Sequence, residues 1–154
     1  MREKLLIDHL TKFHANSDTS NFNVLDFVSA FGGPLEALAY SYLFWPDFVE
    51  FEGMIFHQAS IEDDEDRSRI RAALSELSSR KAVEQSFNQF VIPEGFFSAG
   101  ISTTTDDENQ FLAERIAEMW KARLAQLFPT KRCVVEVQSP DETEEGPTMV
   151  VYQA

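Results

Sequence analysis

From residue 14 to residue 66 the chain has no lysine and no arginine, yet eleven acidic side chains fall there: Asp18, Asp26, Glu36, Asp47, Glu50, Glu52, Glu62, Asp63, Asp64, Glu65 and Asp66. A second stretch without a base runs from Ala82 to Glu114 and holds six acids. These two stretches and a short acidic segment near the C-terminus account for most of the net charge of −13. The bases cluster at Arg2–Lys12, Arg67–Lys81 and Arg115–Arg132, so part of the folded surface carries a strong field of one sign. A sequence pI near 4.5 excludes the basic footprint that nucleic acid requires, and repulsion disfavours an anionic membrane. A basic protein surface is the partner that fits.

Other absences narrow the class further. A single cysteine, Cys133, excludes an intramolecular disulfide framework and fits a reducing compartment. No apolar run approaches the roughly 18 residues of a membrane span. The N-terminal run MREKLLIDHL is broken by Asp8 and His9, short of the about 7–15 apolar residues of a secretory signal. The expectation is a soluble cytoplasmic protein. With 154 residues, 44% of them apolar and fourteen of them phenylalanine, the chain can bury a sizeable core as one domain over residues 1–154.

Periodicity orders the elements. Leu6, Leu10 and Phe13 predict an amphipathic helix over about 3–14. After the polar loop Asn16–Asn21, the stripe Val24, Phe27, Val28 and Phe31 predicts a helix stopped by Gly32-Gly33. Pro34 suits a first helical turn, and Leu35, Leu38, Ala39, Tyr42 and Leu43 continue an apolar face to Trp45-Pro46. The period then changes to two, with a hairpin turning at Glu52-Gly53 and carrying Glu50 and Glu52 on its outer face. Ser60–Asp63 matches a loose capping box before the stripe Ile70, Leu74 and Leu77. Val83, Phe87, Phe90 and Val91 either extend that helix or begin another after Ser78-Ser79. Residues 93–104 have no period and read as a loop. Thr105–Glu108 is a clear capping box opening a long helix closed by Pro129. A second hairpin, Cys133–Gln138 with Met149–Tyr152, spans the acidic loop 139–147. The expected fold is α+β, with five or six helices packed on antiparallel hairpins of about four strands.

No catalytic grouping stands out. The run Glu62, Asp63, Asp64, Glu65 and Asp66 lacks the alternation and the sixth-position glycine of a calcium loop, so no metal is expected. Acids in a first helical turn interact favourably with the macrodipole, but that preference needs one or two, not five. The surplus is either solubility charge or a docking surface. Ser98 in GFFSAG lacks the glycine two before it that a nucleophile elbow requires. His9 and His14 lie about 140° apart on a helix and cannot share a metal. His57 reads as a surface or interface residue, and Cys133 as a small core residue. Phe96 and Phe97 either plug the core or anchor an interface. No cofactor is implied.

Three features give a resemblance in type: the segment FWPDFVEFEGMIF (44–56), the finish MWKARLAQLFP followed by a hairpin (119–152), and the acid surplus. In these the chain resembles the small acidic immunity proteins of bacterial toxin systems. The resemblance implies a non-enzymatic cytosolic α+β domain that occludes the active site of a basic toxin. The partner surface then comprises Trp45, Phe48, Glu50, Glu52, Glu62, Asp63, Asp64, Glu65 and Asp66. A small acidic secretion chaperone binding an effector protein is a second class, and an enzyme with a scattered carboxylate site a third.

Overall fold

The computed structural model describes residues 2–77, 79–92, 94–97, 104–140 and 146–154. Among them are seven helices: α1 (Arg2–Phe13), α2 (Val24–Phe31), α3 (Pro34–Phe44), α4 (Asp64–Glu76), α5 (Arg80–Phe87), α6 (Glu94–Phe97) and α7 (Asp106–Leu127). Five strands accompany them: β1 (Phe48–Phe51), β2 (Met54–His57), β3 (Gln89–Val91), β4 (Cys133–Gln138) and β5 (Thr148–Gln153). They form two antiparallel sheets, β1-β2 and β3-β5-β4. The class is α+β, as the blockwise periodicity indicates. The chain divides into two compact units, Met1–Ser41 and Tyr42–Ala154.

In the first unit, Asn23 caps α2 by accepting from the Leu25 and Asp26 amides, and Asp26 accepts from the Asn23 amide in return. Packing is aromatic: His14 stacks on Phe31 with ring centroids 3.8 Å apart, and Phe22 meets Phe27 edge-on at 5.2 Å. Only Thr19 and Phe27 are buried among the described residues of this unit. About forty residues cannot enclose much more.

In the second unit, Glu52 (φ 52°) and Gly53 (φ 78°) both adopt left-handed backbone, the primed turn that matches strand twist. The positive φ of Gly53 is what calls for glycine there; the Arg80 guanidinium, 2.6 Å from where a Cβ would stand, is the end of a flexible side chain that could move aside. The main core gathers Phe48, Ile55, Ile92, Ile116, Trp120, Leu124, Val135, Met149 and Val151 beneath α7. A second cluster joins Met54, Phe56, Ile61, Ile70 and Val83 beneath α4 and α5. Phe96 completes the aromatic wall, stacked on Phe90 at 5.5 Å, so it plugs the core.

Several elements depart from their sequence expectation. Residues 94–97 form a helical turn rather than loop; the rest of the 98–103 stretch, with Ser98, lies outside the described residues. Asp63, not Ser60, caps α4, because its carboxylate accepts from the Asp66 amide while Asp66 accepts from the Glu62 amide. Ser60 sits instead in a 3-10 turn, Gln58–Ser60. Ser79 caps α5 as a separate helix. Phe90 and Val91 leave the helical register altogether and pair with Met149 and Thr148 of β5.

That last change follows from what happens at the end of α5. The Gln58 amide donates to the Asp47 carbonyl, which sets the hairpin's hydrogen-bond phase and turns the backbone groups of Ile55 and His57 away from β1. Side chains from α5 meet them. Glu84, almost wholly buried, accepts from the amides of Ile55 at 2.7 Å and Gln153 at 2.8 Å. Asn88 accepts from the His57 amide at 2.9 Å and donates to the carbonyls of Ile55 at 2.8 Å and Val151 at 3.2 Å. The two sheets are thus stitched together without sharing a strand pair.

Asn88→Ala leaves three buried backbone groups without those partners, and each orphaned group costs about 1–3 kcal/mol. Denaturant unfolding at neutral pH is expected to show a loss of about 3 kcal/mol or more for Asn88→Ala, against about 0.5 kcal/mol or less for the exposed control Ser75→Ala. Equal stability of the two variants would show that the stitch carries no weight.

Candidate functional site

The hairpin β1-β2 places Glu50 and Glu52 outward, as their alternation demands, but each meets a cation of the same unit. Glu50 pairs with Lys131 at 2.8 Å and Glu52 with Arg71 at 3.0 Å. Arg71 also lies over the Phe51 ring at 5.0 Å. Beside them Asp47 accepts from Arg123 at 2.6 Å, and Arg123 also donates to the Pro46 carbonyl and covers the Trp45 ring at 5.8 Å. In α4, Asp64 pairs with Arg67 at 3.0 Å and Asp66 with Arg69 at 3.4 Å, while Asp63 is spent on the cap. Glu62 and Glu65 pair with no cation among the described residues. Two of the five acids of the run thus meet the basic cluster that follows it, one turn along the same helix.

Phe48 does not belong to an exposed aromatic centre. It is 5% exposed and packs edge-on to Trp120 at 5.5 Å, because its strand position faces α7. Trp45, at 46% exposed, remains at the surface. The nine residues anticipated as a single binding surface therefore separate into a buried core residue (Phe48), four ion-paired acids (Glu50, Glu52, Asp64 and Asp66), a helix cap (Asp63), two acids without a cation among the described residues (Glu62 and Glu65) and one accessible indole (Trp45).

His57 is also buried rather than superficial, at 8% exposed. Its ring lies 5.0 Å from Trp120 and 5.1 Å from Phe90, and its Nδ1 accepts from the Ala59 amide. Desolvation holds the imidazole neutral and pushes it down to about 4, outweighing the opposite pull of Asp47. Burial pushes the Cys133 thiol up, with Glu84 adding in the same direction, so it is a protonated thiol packed against the core and not a nucleophile at neutral pH. Among the described residues no three His, Cys, Asp or Glu side chains are placed to hold a metal ion, and no helix is long and apolar enough to cross a membrane.

The feature that periodicity alone did not disclose is α3. Its sequence, PLEALAYSYLF, is apolar on nearly every side, with Glu36 and Ser41 the only strongly polar members. A helix of that composition belongs in an interior. Yet every residue from Pro34 to Tyr42 is exposed, with Leu35 at 78% and Tyr42 at 73%. In α2, Leu25 (76%), Val28 and Phe31 are exposed as well. The missing amphipathicity was the available signal: an apolar stripe with no polar face opposite it.

Comparison of the chain with protein-family models, curated proteins and solved structures returns no match.

The buried imidazole makes a pH prediction. In the unfolded chain His57 titrates near its ordinary 6.5, so between pH 6.5 and about 4 the unfolded state takes up a proton that the folded state refuses. Stability from this group is full above pH 6.5, falls as pH drops through that window, and falls no further below about 4. Between pH 7 and 4.5 the native chain is expected to lose about 2 kcal/mol more than His57→Gln, measured by urea unfolding. Parallel pH profiles for the two would contradict a neutral buried ring.

Proposed function

We propose that this is a non-enzymatic acidic protein of the cytoplasm that binds a basic protein partner, in the manner of an immunity protein occluding a toxin's active site. The observation that carries this reading is α3: nine consecutive helical residues, apolar in kind and exposed on all sides. An isolated helix of this length is marginal in water, so docking against another surface would stabilise it. Helices that present apolar anchors to a groove are a recurrent mode of protein recognition. The apolar anchors are Leu35 and Leu38 on α3, with Leu25 and Val28 on α2.

Charge selects the partner's chemistry. From residue 14 to residue 46 the only charged side chains are Asp18, Asp26 and Glu36. A partner offering an apolar cleft rimmed by lysine and arginine complements both the shape and the sign. The internally paired acids of β1 and α4 contribute less to this than their number suggests, since exposed pairs are worth little and are already neutralised.

A secretion chaperone is favoured by the same exposed helix, because such proteins present apolar surface to an unfolded effector. The two readings differ in assembly and in effect. A stable dimer by sedimentation supports the chaperone, whereas a monomer that inhibits its captured partner supports the immunity reading.

The double variant Leu35→Asp/Leu38→Asp is expected to change folding stability by about 0.5 kcal/mol or less, since both side chains are exposed. Affinity for a basic protein captured from native extract is expected to fall roughly a hundredfold, the loss of about 3 kcal/mol. Association measured by stopped flow is expected to slow steeply from low to physiological salt. Undiminished capture by the variant would remove α3 from the interface, and a salt-independent rate would remove the electrostatic part.

A further inference from the structure

A groove of about 680 Å³ lies between α7 and β4, with Glu114, Glu118 and Lys121 on the helix side. On the strand side it is lined by the four consecutive residues 134–137 and by Tyr152. Successive strand residues point to opposite faces, so a groove touched by all four wraps the free edge of β4, reaching β5 only at Tyr152. Among the described residues β4 is the outermost strand of its sheet, with β5 on one side and no strand on the other.

The hydrogen-bond phase identifies which backbone groups face this groove. The Ala154 amide donates to the Arg132 carbonyl, so Val134, Glu136 and Gln138 are the β4 residues bonded to Tyr152, Val150 and Thr148 of β5. Cys133, Val135 and Val137 alternate with them, and their amides and carbonyls point out of the sheet edge. That is the template to which an extended chain adds.

We infer that the β4 edge is a second binding site, which takes an extended, cationic peptide segment of a partner protein as an added strand. Charge decides against a second copy of this chain. Glu114, Glu118 and Glu136 outnumber Lys121 and the Arg115 that bridges Glu118 at 3.0 Å, and self-pairing would bring two such acid-rich walls together. Lysine or arginine on the face that an added strand turns to α7 would meet Glu114 and Glu118 beside Val135 and Val137, while the alternate residues would lie beside Val134 and Glu136 on the opposite face. The site draws on no residue of α2 or α3.

The probe is a synthetic hexapeptide alternating lysine and valine, added to the full chain while amide exchange is followed by NMR. Exchange at Cys133, Val135 and Val137 is expected to slow about tenfold near saturation, with Val134 and Glu136 unchanged because β5 already holds them. The same peptide N-methylated at alternate residues, and one with glutamate in place of lysine, are expected to give no protection. Absence of protection by the first peptide, or equal protection by the N-methylated one, would overturn strand addition. Equal protection by the glutamate peptide would overturn the cationic occupant, and protection that grows with protein concentration alone would replace it with a second copy.

Discussion

Two side chains at the end of α5, Glu84 in its last turn and Asn88 at its C-cap, hold the larger unit together by standing in for a strand pair that the sheets do not make. A hairpin of two short strands is marginal alone, and its outer edge exposes backbone groups that burial would leave unsatisfied. Here the outward groups of Ile55 and His57 find a carboxylate and a carboxamide one helical turn apart, and these same side chains reach Val151 and Gln153 on the other sheet. A carboxylate accepts only, whereas a carboxamide both donates and accepts. That difference matches the positions: amides face Glu84, while Asn88 sees an amide and two carbonyls. Buried polar networks of this kind specify geometry strongly because partial satisfaction is costly.

The aromatic core depends on this stitch. With β2 fixed beside β5, His57 is brought against Trp120 and Phe90, and Phe48 against Trp120. The Trp120 indole N–H donates to the Leu43 carbonyl at 2.7 Å, which fixes the last turn of α3 within the same unit. Ordered from α5 outward, the chain runs from a satisfied polar network to an apolar core.

Most helices and both hairpins were legible because capping and alternation are local. Asn23, Thr105 and Ser79 cap through their own neighbours, and Glu52-Gly53 turns through its own dihedral angles. The missed elements were non-local. Phe90 and Val91 suit a helical stripe as well as a strand, and only the exposed edge of β5 decides between them. The hairpin acids looked like a docking patch because their compensating partners lie elsewhere: Glu52 finds Arg71 and Glu50 finds Lys131 across long sequence separations. Phe48 was misplaced for a related reason, since alternation says which residues share a face but not which face the core takes.

By itself the sequence determined the α+β class, the order and limits of the long elements, and an acidic chain with no base over fifty-three residues, from 14 to 66. Those follow from periodicity, capping and charge, which are properties of neighbours along the chain. Only the tertiary structure decided that His57 and Phe48 are core, that the hairpin acids are ion-paired, that residues 34–42 of α3 are exposed, and that β4 keeps an open edge among the described residues. Each of these depends on what packs against a residue from far away in sequence, and burial, pairing and exposure are properties of that meeting.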